Sequence, residues 1–151
     1  MTSRGVKVSA PSHLLDAGPL VGLLDADDQW HEWSRKALGA VPGSMRTTET
    51  AVAEACYHLR DHRPALSAIL RMIDAGALVL EPLVQRQAAR MDRLLADCTQ
   101  MDFGDATLVV LSELYPRAKL VTLDVRDFMI YRRSDGTPVP IIAPGQSQNP
   151  A

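Results

Sequence analysis

The sequence predicts an α/β fold, a parallel sheet with helices on both faces. Two observations predict it. Short apolar runs alternate with longer helical patterns along most of the chain, the order expected of strand–helix–strand units. Capping and breaking residues also stand where those helices should begin and end.

The elements follow in order. "HLL" at 13–15 is a short strand, followed by a turn and a helix through "LVGLLDA". "QWHEWSRKALGAV" is amphipathic, offering Trp30, Trp33 and Leu38 to a core and Glu32, Arg35 and Lys36 to solvent. "SMRTT" is the second strand, and Thr48 is placed to cap the helix "ETAVAEACYHLR". Pro64 suits the first turn of "PALSAILRMIDAG", and Gly76 suits its end. "ALVLEPL" gives a third strand and "VQRQAARMDRLLADC" another helix. The helix "DFGDATLVVLSELY", the strand "KLVTLD" and a last short strand in "VPIIAP" complete the pattern. Residues 1–12 and 145–151 read as flexible tails around one domain at 13–144.

Composition narrows the classes. With 151 residues, 46% hydrophobic and 23% charged, the chain suits one globular domain rather than a disordered segment. A net charge of -2 argues against nucleic-acid binding by bulk charge alone, though a local Arg cluster can still hold phosphate. Cys56 and Cys98 form no zinc-type spacing and read as reduced thiols in helices. His58 and His62 share a helix face, but no further ligand completes a metal set. No signal-peptide core or membrane-length apolar run is present, so a cytoplasmic location is expected. Nucleophile-elbow, GxGxxG and Walker patterns are absent.

The acids carry the chemistry. Asp16 directly follows the first strand and Asp124 the strand "LVTL"; Glu54 lies in the helix after strand two and Asp105 in the first turns of the helix before strand four. In parallel α/β sheets the ligand crevice lies beyond the carboxyl ends of the strands. Carboxylates converging there at ~5 Å, with an effective dielectric of ~20, repel by roughly 3 kcal/mol per pair. Such a cluster persists only if protonated or bound to cations. Mg²⁺ or Mn²⁺ is the natural neutraliser, and metal-assisted phosphodiester hydrolysis the reaction class.

Each acid has an ordinary structural role as well. Asp16 suits a turn, Asp102 an N-cap and Asp105 a first-turn charge. Asp124 and Asp127 suit caps of a short helix or turn. On periodicity Glu54 falls opposite a stripe of Val52, Cys56 and Leu59, which reads as solvated. Yet it is the only formal charge from Thr50 to Leu59 apart from the possible charge on His58.

Taken in order, "LLDAGPLVGLLD", "TTETAVAEACYHL", "MDFGDATLVVLSE" and "VTLDVRDF" resemble the PIN-domain family, in particular VapC-type toxin ribonucleases. The resemblance spans roughly 14–128. It implies a PIN-like α/β/α sandwich around a parallel sheet, with Mg²⁺ or Mn²⁺ in an acidic pocket and RNA as substrate. By position it assigns catalysis to Asp16, Glu54, Asp105 and Asp124, with Asp16, Asp105 and Asp124 holding metal. Here the resemblance overrides the periodicity at Glu54. Asp102, Thr122 and Asp127 are auxiliary. Arg46 and Arg126 are the leading phosphate contacts, with Arg132 and Arg133 behind them. The resemblance further implies a small antitoxin partner and a homodimer. The competing readings are a non-catalytic PIN-like module that binds RNA or protein, and a DNA-acting nuclease of the same fold.

Overall fold

The computed structural model describes residues 9–146; of the expected tails at 1–12 and 145–151, residues 1–8 and 147–151 lie outside them. Five strands, β1 (His13–Leu15), β2 (Met45–Thr47), β3 (Leu78–Leu80), β4 (Lys119–Val121) and β5 (Ile141–Ile142), form one sheet in the order β3-β2-β1-β4-β5. Every pairing is parallel. The chain first winds outward from β1 to β3, then crosses back to lay β4 against β1. That reversal makes a topological switch point between β1 and β4, where open parallel sheets form their crevice.

The two central strands are buried on both faces, and their alternation divides the core. Leu14 and Leu120 join one apolar cluster, with Met91, Leu94, Phe128 and Tyr131. Leu15 and Val121 join the other, with Leu20, Leu38, Ile69 and Leu78. The first cluster packs under α5 (Val84–Asp97), α6 (Phe103–Leu114) and α7 (Val125–Phe128), the second under α1 (Ala17–Leu24), α2 (His31–Gly39), α3 (Glu49–His58) and α4 (Arg63–Asp74). The expected α/β sandwich is the observed one.

Helix ends follow local chemistry. Thr48 caps α3 by accepting from Ala51 N–H, and Asp102 caps α6 by accepting from Asp105 N–H. Gly76 adopts φ 78° just beyond α4, a left-handed conformation that suits glycine. Both cysteines are free. No helix among the described residues is long and apolar enough to cross a membrane.

Three details differ from the sequence expectations. Trp30 is exposed rather than core, and the residue α2 buries beside Leu38 is Ser34. Gly22 allows that approach, since a Cβ there would stand 2.4 Å from Ser34 Oγ. On α3 the buried residues are Ala51 and Ala55, continued by Leu59, not Val52 and Cys56. Ser12, within the expected N-terminal tail, already pairs with the central strand β4, its carbonyl accepting from Lys119 N–H.

Candidate active site

The switch point sets Asp16. Its backbone N–H donates to Val121 O at 3.0 Å, so the β1–β4 ladder extends one residue past β1. Its carboxylate then caps α1, Oδ1 accepting from Ala17 N–H at 2.7 Å. Thr122, fully buried just after β4, donates its hydroxyl to Asp16 Oδ2 at 2.7 Å and accepts from Asp124 N–H at 3.0 Å. One hydroxyl thereby joins the acids at the ends of the two central strands. Gly18 keeps α1 close to this turn, since a Cβ there would meet Leu123 Cδ1 at 3.1 Å.

Asp105 enters from α6. Asp102 holds the first turn of that helix by accepting Asp105 N–H at 2.8 Å. The seven residues from Ala106 to Ser112 are all buried, so the helix runs through the core with only its start at the crevice. Asp105 Oδ2 accepts the Tyr131 hydroxyl at 2.6 Å. Asp124 caps α7 through Asp127 N–H at 3.1 Å, and Gln100 donates to Asp127 Oδ1 at 3.1 Å.

Glu54 is exposed on α3 and faces the same crevice. A Cβ on Gly104 would lie 3.8 Å from Glu54 Oε2 and 3.5 Å from Asp102 Oδ1. Two threonines brace this approach, Thr48 and Thr107 sharing a buried hydroxyl contact at 3.0 Å.

The electrostatics follow from crowding. Burial pushes the Asp16 carboxyl up to about 6 against its two hydrogen bonds, and Glu54 and Asp124 add repulsion. Burial likewise raises Asp105 to about 6 despite the Tyr131 hydrogen bond, helped by Asp102, Asp16 and Asp124. Glu54 is raised by burial and then by Asp102 and Asp105. Asp124 is raised by burial first, with repulsion from Asp127 and Asp102 contributing. Tyr131 is raised as well, by burial and by the carboxylate it donates to.

Among the described residues, Asp105, Asp124 and Asp127 each place a carboxylate oxygen within 4.8 Å of the others. Asp127, expected as an auxiliary acid, stands in this grouping beside Asp105 and Asp124, and Asp16, the third expected ligand, accepts from Ala17 and Thr122 at the same crevice. Arg46 is drawn elsewhere, its guanidinium 2.6 Å from Glu81 and lying over the Tyr115 ring. Arg132 and Arg133 brace backbone carbonyls, Met129 and Tyr131 for the first, Ser112 and Pro116 for the second. Arg126 is exposed on α7 between Asp124 and Asp127. Tyr131 and Gln100 had no signal in the sequence, since neither belongs to a local pattern.

A parallel sheet reversed between its central strands, layered by helices on both sides, is a doubly wound α/β/α sandwich. The same fold is seen in the crystal structure of VapC20 from Mycobacterium tuberculosis, a toxin that cleaves the sarcin–ricin loop, with a TM-score of 0.64 over 72% of this chain and 87% of that one. At 14% identity the likeness is one of fold. No family model and no curated protein matches the sequence.

Proposed function

We propose that the chain is a metal-dependent endoribonuclease and the toxin of a type II toxin–antitoxin pair. The observation that carries the reading is the convergence of Asp16, Glu54, Asp105 and Asp124 at the switch point, with all four carboxyls raised. A protein gains nothing in stability by crowding acids this way, whereas a divalent cation turns the repulsion into attraction. The donors fit such an ion. Asp105, Asp124 and Asp127 offer only hard oxygen atoms, within 4.8 Å of one another, as Mg²⁺ and Mn²⁺ require.

When bound, the metal would supply Lewis-acid polarisation of phosphate and a lowered pKa for water. The chain's own groups do the rest. Asp105, Asp124 and Asp127 would hold the ion, and Asp16 with Thr122 fixes the spacing of the two central strand ends. Tyr131 orients Asp105 by donating to Oδ2. Glu54, open to solvent at the crevice rim, accepts the proton of the attacking water. Arg126 offers a cation to the RNA backbone. The fold shared with a toxin that cleaves the sarcin–ricin loop supports RNA as substrate and a small antitoxin as partner, while the homodimer rests on the sequence resemblance alone.

The test is to incubate purified protein with total RNA and Mn²⁺ and map new 5′ ends, beside samples with EDTA or with Asp105→Asn. Discrete cuts that vanish in both controls are expected. No cuts, or equal cutting by Asp105→Asn, overturns the reading in favour of a non-catalytic binding module or a DNA substrate.

A further inference from the structure

The carboxyl edge of the sheet continues past the acidic crevice. Over the ends of β2 and β3 lies a cavity of about 730 Å³ lined by Thr48, Thr50, Glu81, Val84, Gln85 and Arg86, among others. Thr48 directly follows β2 and Glu81 directly follows β3. With neighbouring strands about 4.8 Å apart, the cavity sits roughly two strand spacings from the crevice. Thr50 joins the two: a Cβ on Gly104 would touch Thr50 Cγ2 at 3.6 Å and Glu54 Oε2 at 3.8 Å.

We propose that this cavity is a nucleotide subsite, taking a residue of single-stranded RNA that flanks the scissile phosphate; the proposal rests on the ribonuclease reading. Its volume is that of a small-molecule site. Its lining has the two chemistries a nucleotide needs, a cation for phosphate in Arg86 and acceptors for base amino groups in Glu49 and Glu81. Glu81 is held rigid, Oε2 accepting from Arg46 at 2.6 Å and from the Tyr115 hydroxyl at 3.1 Å. Its Oε1 has no hydrogen-bond partner among the described residues. A fixed, available acceptor beside a cation suits cytosine, whose exocyclic N4 amino group donates to carboxylates.

The probe is a set of 5′-labelled oligocytidylates of two, four and eight residues, titrated by fluorescence anisotropy in EDTA, so that the variants' metal affinity does not enter. The protein is the full chain carrying Asp105→Asn, alone or with Val84→Trp, which fills the cavity, or with Arg86→Ala. The octamer is expected to bind about tenfold tighter than the dimer, equal to ~1.4 kcal/mol. Either added substitution should remove most of that gain and leave dimer binding unchanged. Equal gains in all three proteins, or no gain in any, overturn the subsite whether or not the wild-type protein cuts total RNA. A gain that the substitutions abolish, with no cuts by the wild-type protein, upholds nucleotide binding in the cavity but overturns the nuclease reading and with it the placement beside a scissile phosphate.

Discussion

Asp105 shows how single residues divide the work at the mouth of α6. Asp102 satisfies the helix end, which frees the Asp105 carboxylate for the crevice and for the Tyr131 hydroxyl. Tyr131 is fully buried and packs edge-on against Phe128, so Tyr131→Phe keeps the packing and deletes only the donor. Because that hydrogen bond holds the Asp105 pKa down, its loss raises a carboxyl already at about 6. Mn²⁺ affinity is then expected to fall more at pH 6 than at pH 8, read by titration at both. Asp127→Asn is expected to weaken Mn²⁺ by about tenfold or more, the scale seen for groups that hold or brace a metal; unchanged affinity would restore the set expected from the sequence. Asp16 and Asp124 were legible because each ends an apolar run. Asp127 was legible as an acid but not as a cluster member, since only the turn of α7 brings it beside Asp124.

At the scale of elements, the strands and most helices were written in local pattern: "HLL", "LVL" and "KLV" between capped helices leave little choice. Glu54 shows where pattern misleads. Taking Val52 and Cys56 as the core stripe puts Glu54 opposite it, but the helix buries the smaller Ala51 and Ala55. That rotation by one residue swings Glu54 to the flank of the buried face and toward the crevice. Small side chains are buried because α3 packs close to α1 and α6, a constraint invisible to a hydrophobicity count. The α1–α2 contact has the same character. Gly22→Ala would drive a methyl into Ser34 Oγ and is expected to cost about 1–3 kcal/mol. Ser34 Oγ is buried without a hydrogen-bond partner among the described residues. Ser34→Ala is therefore expected to be neutral or to stabilise by about 1 kcal/mol. Urea unfolding of the two variants checks both signs.

For the whole molecule, the crowded acids make stability depend on pH and metal together. Asp16 and Asp105 are raised to about 6, so between pH 4 and pH 6 the folded state holds protons that the unfolded chain has released. Stability from these groups is present below their unfolded values and is lost as pH rises through about 6. For buried Asp16 the loss is on the order of 3 kcal/mol; for Asp105, partly open to solvent, it is smaller. Metal-free protein is expected to melt several degrees lower at pH 7.5 than at pH 5, and saturating Mn²⁺ to remove most of that difference. Asp16→Asn should raise the metal-free melting temperature at pH 7.5, since it deletes the repulsion while its one amide oxygen still accepts from Ala17 N–H and its amide nitrogen faces the Thr122 hydroxyl oxygen.

The most direct measurement is Mn²⁺ binding at pH 7.5, followed by electron paramagnetic resonance for the wild-type protein, Asp105→Asn and Asp124→Asn. Saturable binding to the wild-type chain, lost or weakened at least about tenfold in both variants, is the result predicted. Mn²⁺ binding that is absent from the wild type, or equally tight in all three proteins, would contradict a metal centre at the switch point.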